Sequence, residues 1–340
     1  MKAARLHSTG LPLIVEDVPT PEPGPGQVLI RIKGAGFCHS DVHVLEADAS
    51  TRPNLPAILG HENAGVVEQV GHGVTSVARG EPVIVFGGWG CERCDYCVSG
   101  DVQHCVTPTW GGLSAHAGGY AEYMLVPDAR YLVHLDRLDP ASSAPLADAG
   151  LTPYRAVRRA LPYIQPDHAV LVIGVGGLGQ HGIKLLRIFG GAPIIAVDLD
   201  PRKRALALEY GAAYALDPAD PEIKEQIKSI SRGGVSAAFD FVGIDPTLDL
   251  ALTTARTGGK VTQVGVGGGT AQLRLGLTRF EVTFETTLWG NVKELRELIA
   301  LAESGVLTSI PIEFAPLADI NQVYERLKKG DVEGRAVITP

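Results

Sequence analysis

The chain has 340 residues, a length that predicts about two domains at roughly 150 residues each. Hydrophobic residues make up 45% and charged residues 20%, as in globular proteins. The net charge of −8, without a basic run, argues against nucleic acid or an anionic membrane as the partner. Apolar stretches fall short of the roughly 18 residues that a membrane span needs, and the start MKAARLHSTG lacks a signal-peptide core, which predicts a cytoplasmic protein.

Residues 1–149 have the pattern of a β-rich domain. Short Val/Ile runs at 28–32, 64–70 and 81–87 lie between Gly- and Pro-rich segments such as PEPGPGQ. Such punctuation is typical of a barrel or sandwich of short strands.

From Ala169 onward, apolar strands alternate with helical segments. The pattern predicts strands at 169–174, 192–200, 237–243 and 259–267, and helices at 178–190, 202–211 and 248–255. This βαβ rhythm predicts an α/β fold, a doubly wound parallel sheet with helices on both faces. The tail contains one clear helical pattern, at 293–305.

A G-x-G-x-x-G motif follows the first of these strands and opens a helix. It comprises Gly174, Gly176, Gly177, Leu178 and Gly179. Asp198 ends the next strand about 20 residues further on, the spacing of a carboxylate that binds adenosine ribose hydroxyls. A carboxylate there repels a 2′-phosphate and favours NAD over NADP. Leu199 and Lys203 belong to the same predicted site, although Arg202 and Lys203 could soften the preference. The alternative is a Gly-rich turn beside a surface aspartate.

Four cysteines form the pattern C-x2-C-x2-C-x7-C. They are Cys91, Cys94, Cys97 and Cys105. Four thiolates this close suit a closed, structural zinc site in a lobe at about 88–106. An iron–sulfur cluster and disulfides are the alternatives.

The fifth cysteine, Cys38, lies in the motif GFCHSDVH, and His61 follows in GHE. Together they could supply sulfur and nitrogen donors to an open zinc site. Such a site needs a third protein ligand and keeps one position for water or substrate.

With GFCHSDVH, GHENAGVV, the four cysteines, GVGGLG and Asp198 in this order, the chain resembles the zinc-containing medium-chain dehydrogenases, the alcohol dehydrogenase family. The resemblance spans essentially the whole chain. It implies a GroES-like catalytic domain from 1–149 and 290–340, and a Rossmann NAD-binding domain at 150–289. It also implies two zinc ions per subunit, reversible hydride transfer between a primary or secondary alcohol and NAD, a small-molecule substrate, and a homotetramer or dimer.

The resemblance also implies roles around the catalytic zinc. Cys38 and His61 would be joined by Asp148, where many relatives have cysteine. The alternative for Asp148 is an acidic residue at the start of a helix. Glu62 resembles the carboxylate next to this metal, and a plain charge partner is its alternative.

Ser40 and His43 match the family's proton relay, in which Ser40 meets the zinc-bound oxygen and His43 passes the proton on through the nicotinamide ribose. Ser40 could also be an N-cap of the following helix, and His43 a satisfied polar residue on it.

Further cofactor contacts are implied by position. His39 stands where relatives often carry an arginine against the pyrophosphate. The other implied contacts are Thr152, Val242, Val264, Gly265, Val266 and Arg335, the last toward the pyrophosphate. The aromatic residues Phe86, Trp110 and Trp289 are candidates for the substrate pocket, with a place in the core as the alternative.

Three other functions remain open at this point. A polyol, threonine or aldehyde-type dehydrogenase of the same family would share both metal sites. A zinc-free reductase of activated double bonds would usually lack the Cys38 and His61 pair. A non-catalytic cofactor-binding relative would keep the metal residues as relics.

Overall fold

The computed structural model describes residues 1–47, 55–114 and 116–340. The chain divides into two compact units. The first comprises Met1–Leu151, Gly290–Gly305 and Pro311–Pro340, and the second Thr152–Trp289 and Val306–Ile310. The sequence analysis placed all of 290–340 in the first domain, whereas Val306–Ile310 packs with the second unit.

The first unit is built mainly from short strands. They are β1 (Lys2–Leu6), β2 (Ile14–Asp17), β3 (Val28–Phe37), β4 (Ala57–Ile58), β5 (Glu62–Val70), β6 (Pro82–Val85), β7 (Gly88–Trp89), β8 (Thr109–Trp110), β9 (Tyr123–Val126), β10 (Leu132–His134), β17 (Ile312–Pro316) and β18 (Arg335–Thr339). Seven form one sheet in the order β10-β6-β5-β3-β18-β17, with β9 also paired to β3. Strand β18 runs antiparallel to β3, so the end of the chain completes a sheet begun near its start.

Short helices connect and cover these strands. They are α1 (His39–Glu46), α2 (Asp95–Val98), α3 (Pro140–Ser143), α9 (Val292–Glu303) and α10 (Ile320–Lys328). Helix α1 follows β3 after a single residue, Cys38, whose extended backbone marks the change of direction. The junction between β3 and α1 therefore determines where Cys38 lies.

The second unit is a parallel sheet with helices. Its strands are β11 (Val170–Ile173), β12 (Ile194–Val197), β13 (Tyr214–Leu216), β14 (Val235–Asp240), β15 (Ala255–Gln263) and β16 (Thr283–Thr286). Its helices are α4 (Leu151–Ala160, whose first residue belongs to the first unit), α5 (Gly177–Phe189), α6 (Pro201–Glu209), α7 (Ile223–Ile230) and α8 (Asp245–Thr254).

The strand order β13-β12-β11-β14-β15-β16 confirms the predicted Rossmann arrangement. Strands β11 and β12 are buried along their whole length, since helices cover both faces of a parallel sheet. Leu171, Ile195 and Val261 belong to the core cluster of this unit. The order changes direction between β11 and β14, the point where such sheets bind ligands beyond their carboxyl ends.

Elements that the sequence analysis did not predict include β13, α4, α7, β16, β17, α10 and β18. The first of these has three residues, none of them fully buried, and β16 reads TFET, so neither has the apolar signal of a core strand. Along the described parts of the chain, we find no helix with the length and apolar character needed to cross a membrane.

Candidate metal centre and cofactor motif

Cys38 and His61 are brought together by the pairing of β3 with β5. In this antiparallel register Gly36 is opposite Glu62. Cys38 lies two residues beyond Gly36, and His61 directly precedes Glu62. A Cβ on Gly36 would fall 1.9 Å from the Glu62 carboxylate, so only glycine fits there. The strand register thus places both predicted ligands at one end of the sheet.

Asp148 completes a group of three donors. It follows a 3₁₀ turn at Ala144–Ala147, and its side chain is mostly buried. Its Oδ2 is 3.3 Å from His61 Nε2 and 3.9 Å from Cys38 Sγ. A tetrahedral zinc ion with bonds of 2.0–2.3 Å separates its ligand atoms by about 3.3–3.8 Å. The sulfur, nitrogen and oxygen donors therefore fit one zinc ion.

Glu62 lies beside these donors, and its ligand atom is within 4.8 Å of theirs. Both of its oxygens also accept hydrogen bonds from Arg335, one from Nε at 2.9 Å and one from a terminal nitrogen. Burial raises the pKa of Glu62, and the positive charge of Arg335 opposes this rise. Arg335, which the sequence analysis placed at the pyrophosphate, is thus an ion-pair partner of Glu62 here.

Asp41 is a buried residue of this site to which the sequence analysis assigned no role. Its Oδ2 accepts hydrogen bonds from the Cys38 backbone N–H at 3.0 Å and from the Tyr120 hydroxyl at 2.9 Å. Its Oδ1 is 3.5 Å from His61 Nδ1. A carboxylate behind a ligating histidine orients its ring, and the other ring nitrogen, His61 Nε2, faces Asp148 Oδ2. The sequence signal that could have identified Asp41 is its place in GFCHSDVH, at the third position of the helix that begins after Cys38.

Ser40 and His43 both lie on α1. Ser40 Oγ is 3.7 Å from Cys38 Sγ, so its hydroxyl lies next to a metal donor. It is the second residue of the helix, with Cys38 at the N-cap, so the alternative of an N-cap role for Ser40 is wrong. His43 is exposed in the last turn, and His39 is exposed at the first.

The four remaining cysteines cluster in the lobe around α2. Cys94 Sγ is 3.6 Å from Cys97 Sγ and 3.9 Å from Cys105 Sγ, and all five cysteines of the chain are free thiols. Zinc–sulfur bonds of 2.3 Å give sulfur–sulfur distances of about 3.8 Å. Backbone N–H groups lower the pKa of Cys91 to about 6, whereas burial and nearby thiols raise that of Cys97 to about 12. Four sulfur atoms at this spacing could together hold one metal ion.

The glycine-rich turn joins β11 to α5. Gly174 has φ +85°, and a Cβ on Gly179 would fall 1.9 Å from the Gly174 carbonyl oxygen. A Cβ on Gly176 would meet nothing within 4 Å. The turn thus has the tight bend, the close helix packing and the open backbone that a pyrophosphate site needs.

Asp198 follows β12 and is bonded to this turn. Its Oδ2 accepts from the Val175 N–H at 2.7 Å, and its Oδ1 from the Asp200 N–H at 2.9 Å. Leu199 beside it is 70% exposed, and Lys203 is half-buried on α6. Arg202 forms three hydrogen bonds through its side chain to the Asp200 carboxylate.

The segment expected to meet the nicotinamide carboxamide follows β15. The Asp240 carbonyl accepts from the N–H groups of Val264 at 2.8 Å and Gly265 at 2.9 Å, and the Asp240 carboxylate accepts from Val242 N–H at 2.8 Å. Val266 is 59% exposed. Asp240 therefore joins the two loops at the carboxyl ends of β14 and β15. Thr152 is buried in α4.

The three candidate pocket aromatics have different surroundings. Phe86 is fully buried and stacks on Tyr131 with ring centroids 6.3 Å apart. Trp110 is half-buried. The rings of Trp110 and Phe86 both lie within 3.2 Å of the place where a Cβ on Gly88 would stand. Trp289 is buried in the second unit. The burial of Phe86 and Trp289 favours the core alternative for these two rings.

Comparison with known proteins matches two family models. Residues 24–137 match the alcohol dehydrogenase GroES-like domain, and residues 177–304 match the zinc-binding dehydrogenase model. An NAD-dependent alcohol dehydrogenase of Sulfolobus acidocaldarius is 36% identical over 347 residues, covering 99% of both chains. A D-arabinose 1-dehydrogenase (NADP(+)) of Saccharolobus solfataricus is 38% identical, covering 100% of this chain and 97% of the relative.

Among solved structures, the alcohol dehydrogenase of Aeropyrum pernix superposes with a TM-score of 0.92 at 38% identity, covering all of both chains. Both zinc-type family models and full-length relatives above 30% identity agree with the motif order and with the two folds described above. The chain belongs to the zinc-binding alcohol dehydrogenase family, with a GroES-like domain and a Rossmann domain.

Proposed function

We propose that this protein is a zinc-dependent dehydrogenase that interconverts a primary or secondary alcohol with its aldehyde or ketone, using NAD. The observation that carries the proposal is the convergence of Cys38 Sγ, His61 Nε2 and Asp148 Oδ2 at tetrahedral ligand spacing. Three protein ligands leave a zinc ion one position for a substrate oxygen. Each subunit would bind two zinc ions, the second held by the four cysteines.

When bound, zinc supplies a Lewis acid that makes an alcohol hydroxyl more acidic, and NAD supplies the hydride acceptor. The chain itself orients the reactants and moves the proton. Ser40, next to the metal donors, would accept the alcohol proton as it passes its own hydroxyl proton on, and the exposed His43 would release that proton to solvent. The products are a carbonyl compound, reduced cofactor and one proton.

NAD rather than NADP is the proposed cofactor because Asp198 presents a carboxylate beside the glycine-rich turn. Arg202, one of the two cations that could attract a 2′-phosphate, is paired with Asp200. We also propose pyrophosphate contacts for the turn and for His39, and carboxamide contacts for the backbone at 264–266.

The cellular setting is part of the proposal. Five free thiols, four of them at zinc-ligand spacing, suit the reducing cytoplasm. The resemblance supports a homotetramer or a dimer and a small-molecule substrate.

A second candidate is a sugar or polyol dehydrogenase of the same family. The 38% identity to the D-arabinose dehydrogenase, which uses NADP(+), favours keeping it in the test. Both candidates share the metal chemistry and differ in substrate and cofactor.

The deciding experiment measures initial rates of reduced-cofactor formation on primary, secondary and aromatic alcohols, polyols and aldoses, each with NAD and NADP, together with zinc content. The first proposal expects alcohols and NAD to give the highest kcat/KM and two zinc ions per chain. A preference for aldoses or polyols would establish the second candidate. Full activity after verified removal of all metal would refute both.

Two variants test the ligand assignment. Cys38→Ala or His61→Ala should abolish turnover while NAD binding, measured by fluorescence, persists. The matched control is His134→Ala, a histidine of the same unit whose side chain is 48% exposed. Substantial turnover in either ligand variant would contradict the assignment.

A further inference from the structure

Tyr120 is fully buried behind the candidate metal centre, and no motif in the sequence marks it. Its ring stacks on Phe37, the residue before Cys38, with centroids 5.2 Å apart and planes 14° apart. The ring also lies close to Gly60, because a Cβ on that residue would fall 2.7 Å from it. Gly60, with φ +94°, directly precedes His61. The ring therefore packs against the neighbours of two ligands.

The hydroxyl of Tyr120 has two acceptors within reach but one proton to donate. Asp41 Oδ2 is 2.9 Å away, and the Gly36 carbonyl oxygen is 3.3 Å away. Hydroxyl donors favour distances of about 2.5–3.0 Å, and a bond to a carboxylate is roughly twice as strong as one to a neutral acceptor. The proton is therefore donated to Asp41.

Asp41 lies between Tyr120 and His61. Its Oδ2 is held by Tyr120 and the Cys38 N–H, which directs Oδ1 toward His61 Nδ1 at 3.5 Å. Both carboxylate and ring are shielded from water, with Asp41 0% and His61 1% exposed. Among the described residues, the Tyr120 hydroxyl is one of the two groups whose hydrogen bonds to Oδ2 fix the rotation of the carboxylate.

We propose that Tyr120 is a positioning residue for the catalytic metal, acting through Asp41 to hold the His61 ring in its ligating orientation. The inference rests on the proposed function in that it requires a metal at Cys38, His61 and Asp148. It adds a third layer of support, a phenol hydroxyl behind the carboxylate that backs the histidine.

Tyr120→Phe is the test, because it removes only the hydroxyl and keeps the ring that packs on Phe37. The readouts are the rate of zinc release to a chromogenic chelator and the visible spectrum of Co²⁺ placed in the open site. Loss of an outer-shell partner costs about 10- to 100-fold in metal affinity when it contacts a ligand directly. Tyr120 is one step further away, so we expect about a tenfold faster release from the open site and a shifted Co²⁺ spectrum.

The zinc held by the four cysteines is the internal control and should be released as in the wild type. Tyr131→Phe is the matched variant, since Tyr131 is also buried and its hydroxyl accepts one hydrogen bond, from the Gly90 N–H at 3.2 Å. It should leave the open site unchanged. Equal effects of both variants on the open site, or no effect of Tyr120→Phe, would overturn the proposal.

A double-mutant cycle tests the route through Asp41. In an Asp41→Asn background, Tyr120→Phe should have little further effect on zinc release, whereas additive effects would show that Tyr120 acts by another route. Zinc content of the wild type separates the two levels of inference. Wild-type protein without a second, exchangeable zinc would refute the proposed function itself. Two zinc ions in the wild type with an unaltered Tyr120→Phe variant would refute only the role of Tyr120.

Discussion

Replacing Arg335 with leucine tests how much the buried ion pair with Glu62 stabilises the first unit. Arg335 is 4% and Glu62 0% exposed, and the guanidinium binds both carboxylate oxygens. Arg335→Leu leaves a carboxylate buried without its counter-ion. Breaking such a pair costs about 3–5 kcal/mol, because the remaining charge is stabilised neither by water nor by a partner.

This cost converts into a measurable change in melting temperature. In a unit of about 200 residues, each kcal/mol shifts Tm by about 2–4 °C, so the expected loss is about 6–20 °C. The assay is differential scanning calorimetry of protein stripped of exchangeable metal, without NAD and at one protein concentration. A cation at the open site would compensate the Glu62 charge, and ligands and assembly also change Tm.

Arg326→Leu is the matched control. Arg326 pairs with Glu313 in the same unit, but their side chains are 44% and 41% exposed. Exposed pairs contribute about 0–1 kcal/mol, so this variant should lose less than about 4 °C. The double variant Glu62→Gln, Arg335→Leu should regain part of the loss because neither position then has a buried charge without its counter-ion. Equal shifts for Arg335→Leu and Arg326→Leu would refute the reasoning.

Other expected outcomes concern the four-cysteine lobe, the proton relay, the cofactor preference and Asp240, which joins the loops after β14 and β15. Cys97→Ser should lower the zinc content from two ions to one per chain, by elemental analysis, and an unchanged content would contradict the four-thiolate site. His43→Ala should lower kcat and alter its pH profile, whereas an unaltered profile would remove His43 from the relay. Asp198→Ser should lower the ratio of kcat/KM with NAD to that with NADP by about tenfold, equivalent to about 1.4 kcal/mol; a constant ratio would contradict its role. Burial raises the pKa of Asp240, so its carboxyl binds a proton more tightly in the folded than in the unfolded chain. Proton binding therefore stabilises the folded state at acidic pH, and this stabilisation is lost as the pH rises. Asp240→Asn should therefore gain unfolding free energy relative to wild type between acidic and neutral pH in denaturant titrations, and a pH-independent difference would disagree.

The sequence alone predicted the features whose residues lie close together along the chain. The glycine-rich turn, the strand before it and the helix after it are local, because the period of apolar residues and the glycine spacing follow from backbone geometry. The four-cysteine lobe is local for the same reason, since its ligands lie within 15 residues, Cys91–Cys105. The family and fold class followed from the order of these motifs.

Apart from the set of Cys38, His61 and Asp148, which the family resemblance implied, only tertiary structure decided the contacts between distant segments. Arg335 meets Glu62 across 273 positions because β3 lies between β18 and β5 in the sheet, and Tyr120 meets Asp41 across 79. Neither pair has a spacing or period that a sequence pattern could detect. Short strands such as β13 and β16 have little apolar signal of their own and form because a neighbouring strand supplies their hydrogen bonds. Local chemistry thus determined which side chains can ligate, and strand register determined which buried groups support them.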